Sequence, residues 1–263
     1  MNNVNKTLYI PLYGKAYVSK KRMILLDPKA ETIWSAANYS LSGKAKSKWL
    51  AYYLSMRAAV FDEWLRKKMQ EFPDAVIIHL GCGLDSRVER VGNKSHIWLD
   101  VDFPDVIEER RTYYQEDDNY RMVGSDVRDL RWMDAIPECK RAIVVTEGLT
   151  MYLRPEELQQ IFRGLSDRFS QLSVLMDCYT VLAQKMSKLK NPIHVVGASE
   201  VYGMDDPKLL EKGTGIRFVK QHSITPAHLI AQLQGAEKKL FERLYAGKTS
   251  EKLYCMYEFE SIM

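Results

Sequence analysis

The segment that most constrains this chain is AVIIHLGCGLDSRVER at residues 75–90, an apolar run cut by two glycines and followed by a charged, helix-compatible stretch. Residues 76–80 are aliphatic or β-branched apart from His79, with no polar alternation, as suits a strand buried on both faces of a parallel sheet. Gly81 and Gly83 allow a sharp turn and close backbone approach to a ligand, and a helix start beyond them offers free N–H groups. Strand, turn and helix in this order predict an α/β fold with a ligand site at the turn. A glycine turn that binds nothing is the alternative at this point. The dinucleotide fingerprint needs a third glycine, but position 86 is Ser, and Asp85 puts a negative charge where a pyrophosphate would lie. A nucleoside without phosphates therefore fits this turn better than NAD.

A second run, SHIWLDVDFP at 95–104, ends in two acids. Asp100 follows Gly81 at roughly the 20-residue offset where a second strand presents a carboxylate to ribose hydroxyls. Asp102 shares its face by the period of two, so either is a candidate ribose ligand. Both also suit the start of a helix near Pro104. Further on, a short extended run ends at Asp126 in SDVRDL, and the buried run AIVV ends at Glu147 in TEGLTMYL. Asp126 reads equally as a turn cap. Glu147 directly follows a buried strand, where an acid without a cationic partner is costly.

The motifs LGCGLDSR, LDVDFP, SDVRDL and TEGLTMYL, in this order and spacing, resemble the leucine carboxyl methyltransferase family, including its bacterial branch of polyketide O-methyltransferases. The resemblance is strongest over 75–153 and extends upstream to TLYIPLYGKA at 7–16 and RAAVFD at 57–62. It implies a class I, Rossmann-like methyltransferase with a mostly parallel seven-stranded sheet in the order 3-2-1-4-5-7-6. It also implies S-adenosylmethionine as cofactor, with S-adenosylhomocysteine as product. On this basis Arg57 pairs with the methionine carboxylate, for which a guanidinium is the natural bidentate partner, and Glu147, beside Gly148, meets the ammonium group. Gly81, Cys82 and Gly83 form the turn against the cofactor. Asp100 or Asp102 takes the ribose, Asp126 the adenine amino group and Val127 the ring. Lys15 assists Arg57 or faces the acceptor. Spacing alone reads Arg57 as a surface arginine.

At 263 residues the chain is expected to form a single methyltransferase domain, 1–263. Its parts are a helical cap over 1–72, with a long helix at 48–72 whose apolar stripe is Leu50, Leu54, Ala58, Phe61 and Leu65, and a Rossmann-like core over 73–263. Further helices are expected at 105–115, from 154, at 181–189 and at 226–234, and strands at 171–177, 217–223 and 253–259, the last able to form an antiparallel edge. A lid insertion is expected at about 180–215. The net charge of +4 is mild and the lysines are dispersed, which argues against nucleic-acid binding. No apolar stretch approaches the roughly 18 residues of a membrane span, and the first residues lack a signal-peptide core. The scattered Cys82, Cys139, Cys178 and Cys255 suggest a reducing cytoplasm and no metal site.

A sulfonium methyl is already electrophilic, so such an enzyme mainly aligns the acceptor oxygen and excludes water. A carboxylate acceptor needs no base, whereas a phenol benefits from one. Asp177, Tyr179, His194, Tyr202, His222 and His228 are available, and none is nominated as catalytic. The leading expectation is an S-adenosylmethionine-dependent O-methyltransferase acting on a hydroxyl or carboxyl of a small molecule. A protein C-terminal carboxyl methyltransferase and a cofactor-binding protein without turnover are the alternatives. An NAD-dependent dehydrogenase ranks behind them because of Asp85 and Ser86.

Overall fold

A computed structural model of the protein describes residues 7–37, 39–92, 95–187 and 200–262. It begins with helices α1 (Tyr9–Lys20), α2 (Pro28–Ala36) and α3 (Lys48–Glu71), followed by β1 (Val76–Leu80), α4 (Arg87–Val91), β2 (Trp98–Asp102), α5 (Pro104–Arg110), β3 (Tyr120–Gly124), β4 (Arg141–Thr146), α6 (Pro155–Arg168) and β5 (Gln171–Tyr179). Then come α7 (Val181–Ser187), β6 (Ile216–His222), the short helices α8 (Ala227–Ile230), α9 (Gly235–Tyr245) and α10 (Lys248–Glu251), and β7 (Tyr254–Ser261). The seven strands form one sheet in the order 3-2-1-4-5-7-6. β1 to β5 are parallel, while β7 runs antiparallel to both β5 and β6. The sheet order and class agree with the expected fold.

Alternation along each strand explains the two cores. Ile77, Val145 and Leu175 join the core under α1, α2 and α3, while their neighbours Val76, Ile78, Val144 and Val174 join the core under α6. Both faces of the central strands are therefore covered, which is why they read as unbroken apolar runs.

Several boundaries differ from expectation. α3 itself agrees with the expected span: Ser47 caps it, its hydroxyl accepting from the Trp49 amide, and it ends before Pro73. Its core-facing residues include Ala51, Tyr52, Met56, Ala58, Phe61 and Leu65. Leu50 and Leu54 instead face a cavity, so the predicted stripe divides between core and site. α5 stops at Arg110 and α8 is a single turn, because their continuations close as successive tight turns. β7 is not an edge, since it lies between β5 and β6, and β6 takes the edge with exposed, charged side chains. Residues 188–199, the middle third of the expected lid and including His194, lie outside the described residues.

Candidate active site

A cavity of about 730 Å³ opens at the carboxyl ends of β1, β2, β3 and β4, the place where parallel α/β sheets hold ligands. Its floor is built by the turn after β1. Gly81 has φ +67°, and a Cβ there would stand 3.0 Å from the Leu149 side chain; Gly83 has φ +51°. Both need glycine's conformational freedom. α1 closes the cavity with Leu8, Ile10 and Pro11, and α3 contributes Leu50, Tyr53, Leu54 and Arg57.

At one end, Asp102 closes β2. Its Oδ2 accepts the Gly83 amide at 2.7 Å and its Oδ1 accepts the Phe103 amide at 2.7 Å. Burial, with the nearby Asp100 charge, pushes the Asp102 carboxyl up to about 6 despite these donors. The carboxylate lines the cavity beside Phe103, Val106, Ser125, Asp126 and Val127. Asp126 is partly exposed and forks onto Arg128 at 2.9 Å, which holds its pKa below the ordinary value.

Asp100 is a correction to the expected ligand set. It shares the face of Asp102 but sits two residues deeper, fully buried and outside the cavity lining. Its oxygens accept Trp98 Nε1 at 2.7 Å and the Tyr120 hydroxyl at 2.6 Å, and Arg110 Nη2 lies 2.5 Å away. Burial opposes its ionisation, but Arg110, His79 and Tyr120 outweigh it and hold the carboxyl down at about 2. Asp100 thus faces the interior of the sheet and not the cavity that Asp102 lines.

The other end is a buried ionic network. Arg57 donates through Nε to Glu147 Oε1 at 3.0 Å, and its Nη1 lies 2.9 Å from Asp177 and donates to the Tyr254 hydroxyl at 2.7 Å. Tyr254 passes its proton side to Asp177 at 2.8 Å, and the Gly148 amide donates to the same carboxylate at 2.8 Å. Glu147 also pairs with Arg87, which reaches Asp62 at 2.8 Å. Lys15 reaches Asp85 at 3.0 Å, and Arg90 joins Asp85, Asp62 and Asp27. Burial works against the Glu147 charge, yet Arg57, Arg87 and Lys15 bring its pKa down to about 2. Asp177 goes the other way, raised by burial that Arg57 only partly offsets.

The structure thus brings Lys15, Arg57, Gly81, Cys82, Gly83, Asp102, Asp126, Val127, Glu147 and Gly148 to one cavity, and excludes Asp100. Asp85, expected as a bare repulsive charge, is neutralised by Lys15, Arg87 and Arg90. Cys82 is buried, and burial raises its thiol pKa far above the ordinary value, so it is a small, unreactive wall. Sequence reading missed Tyr254, Tyr53, Tyr152 and Arg87. Of the reserve candidates among the described residues, only Asp177 and Tyr179 belong here; Asp177 lies inside β5, two residues before its end, whereas Glu147 directly follows β4. His222 pairs with Glu258, His228 with Glu63, and Tyr202 with Glu200.

A family model described as leucine carboxyl methyltransferase matches residues 13–166, the stretch holding every one of the expected cofactor residues. The tetracenomycin polyketide synthesis O-methyltransferase TcmP of Streptomyces glaucescens is 33% identical over 241 residues, 90% of this chain and 89% of that one. The S-adenosyl-L-methionine-dependent methyltransferase dpfgK of Gibberella zeae is 28% identical over 237 residues, 80% of this chain and 78% of the relative. Among solved structures, a DUF574 family protein of Streptomyces avermitilis superposes with a TM-score of 0.59 at 12% identity, covering 90% and 91% of the two chains. Magnesium protoporphyrin IX methyltransferase of Synechocystis gives 0.54 at 10%, covering 89% and 93%; at such identities the likeness concerns the fold. With its model matched over more than half of the sequence and TcmP aligned along nearly all of it, this chain belongs to the leucine carboxyl methyltransferase family.

Proposed function

We propose that the protein is an S-adenosylmethionine-dependent O-methyltransferase acting on a small molecule, with the cavity above β1 to β4 as its active site. The observation that carries the reading is the cavity's two unlike ends: a glycine turn with a free-facing carboxylate at one, and a buried guanidinium–carboxylate cluster at the other. A nucleoside joined to a zwitterionic amino acid matches both. Charge balance supports a cationic ligand. The network of Lys15, Arg57, Arg87 and Arg90 with Asp27, Asp62, Asp85, Glu147 and Asp177 has four cations and five carboxylates, one negative charge in excess when all are ionised. The cofactor carries one net positive charge at neutral pH, and its burial is favoured by that excess.

In this reading Asp102 accepts the ribose hydroxyls, Asp126 and Val127 meet the adenine, Arg57 holds the methionine carboxylate and Glu147 the ammonium. The cofactor supplies an electrophilic sulfonium methyl. The chain's own work is alignment and exclusion of water: α1 covers the site, and Tyr53, Tyr152, Tyr179 and Tyr254 wall the side beside Arg57. Burial pushes Tyr53 up to about 12 and Tyr254 further. At neutral pH these phenols therefore stay protonated, with the Tyr254 hydroxyl donating to Asp177 and the Tyr53 hydroxyl paired with Ser250. Together with Ile10, Leu50 and Met151 they form a surface suited to a flat aromatic acceptor, in keeping with the polyketide pathway in TcmP's name. We read the whole chain as one domain, because the cap helices and the sheet share a core. No helix among the described residues is long and apolar enough to cross a membrane.

Calorimetric titration with S-adenosylmethionine, S-adenosylhomocysteine and NAD tests the assignment. Binding of the first two and not the third is expected; binding of NAD alone overturns it.

A further inference from the structure

Gly83 is gripped at both of its polar atoms. Its amide donates to Asp102 at 2.7 Å, and its carbonyl accepts Arg110 Nη1 at 3.0 Å. Arg110 is fully buried at the end of α5. Its Nε donates to Tyr120 at 3.0 Å, its Nη2 is held 2.5 Å from Asp100, and its guanidinium lies 4.1 Å from the centre of the Tyr114 ring. The Tyr114 hydroxyl in turn donates to the Leu84 carbonyl at 3.2 Å. A guanidinium can make three such contacts at fixed angles, which an ammonium cannot.

We infer that Arg110, oriented by Asp100, is a positioning residue that fixes the left-handed Gly83 turn and thereby sets the affinity of the nucleoside end of the cavity. This gives Asp100 a purpose consistent with its burial: it is the counter-ion of the clamp rather than a ribose ligand. Neither residue touches the cavity, so the effect passes through the Gly83 backbone. The inference rests on the proposed cofactor, but the clamp itself is testable without it.

The experiment compares Arg110→Lys with the parent protein, using Phe162→Leu in the opposite core as a control for general destabilisation. Calorimetry measures S-adenosylhomocysteine and adenosine, and amide exchange is followed at Gly83. Arg110→Lys is expected to weaken both ligands about tenfold or more and to speed exchange at Gly83, with Phe162→Leu changing neither. Arg57→Lys should weaken S-adenosylhomocysteine while sparing adenosine, which separates the two ends. Arg110→Lys affinities within twofold of the parent, with Gly83 exchange unchanged, overturn the clamp. If the parent binds neither ligand, the cofactor reading fails, and exchange at Gly83 alone then decides the clamp. Should Arg110→Lys not fold, Asp100→Asn carries the same expectations and the same overturning result.

Discussion

The two ends of the cavity are built on opposite electrostatic plans. At the Arg57 end every carboxylate already touches a cation, and Glu147 is held at about 2 by those around it. At the Asp102 end the carboxylate receives two backbone amides and, among the described residues, no direct salt bridge, and burial leaves it at about 6. The first end contributes to the fold before any ligand arrives. The second is a pre-aimed acceptor whose desolvation is a standing cost that donor hydroxyls relieve. Binding and stability should therefore be tied together at one end and separable at the other.

The strongest way to break this contrast is at the saturated end. Arg57→Ala leaves Glu147 and Asp177 short of a buried counter-ion. Urea unfolding should show a loss of about 3–5 kcal/mol, and calorimetry a loss of S-adenosylhomocysteine affinity of about 2–4 kcal/mol. Intact stability with lost affinity would mean that Arg57 only serves the ligand. Asp102→Ala is the counterpart: affinity should fall by about 1.5–3 kcal/mol, the range of hydrogen bonds to a charged group, with unfolding in urea nearly unchanged. A stability loss as large as that of Arg57→Ala would erase the distinction.

Acidity sharpens it further. The proposed role of Asp102 requires the carboxylate form, so S-adenosylhomocysteine affinity should decline as pH falls through about 6, and titration of Asp102→Asn should lack that inflection. The stability signs are opposite at the two ends. Asp102's folded-state pKa is raised, so its contribution is present below the unfolded value of about 3.9 and lost as pH rises through about 6. Glu147's is depressed, so its contribution is present above the unfolded value of about 4.3 and lost as pH falls toward about 2. The smallest effect is expected from Asp126→Asn. Its carboxylate is partly exposed and shared with Arg128, and calorimetry should show a change under about 1 kcal/mol.

What the sequence disclosed follows from the same physics. β1 and β4 were legible because strands covered on both faces hold unbroken apolar runs, VII in β1 and AIVV in β4, and Gly81 and Gly83 mark a turn that other residues adopt only with strain. Asp100 and Asp102 were indistinguishable because period-two alternation places both on one face. What separates them is Arg110, reached through α5, and a one-dimensional pattern does not display a contact of that kind. Arg57 reads as exposed by spacing because its partners Glu147, Asp177 and Tyr254 come from three distant strand ends; only the family resemblance anticipated its burial. Tyr254 carried no local signal, since a tyrosine beginning an alternating strand looks like any other.

The Arg57–Tyr254 contact joins residues 197 positions apart, and so has a consequence for the order in which the protein matures on the ribosome. β1 to β5 can pair in sequence as they emerge, but β7, which is made after all the other strands of the sheet, must be inserted between β5 and β6 before Tyr254 reaches the arginine. Until then Arg57 and Asp177 lack the phenol that bridges them. A nascent chain can thus hold most of its sheet while still unable to complete the Arg57 end of its pocket, so closure of that end waits until β7 has been made and seated.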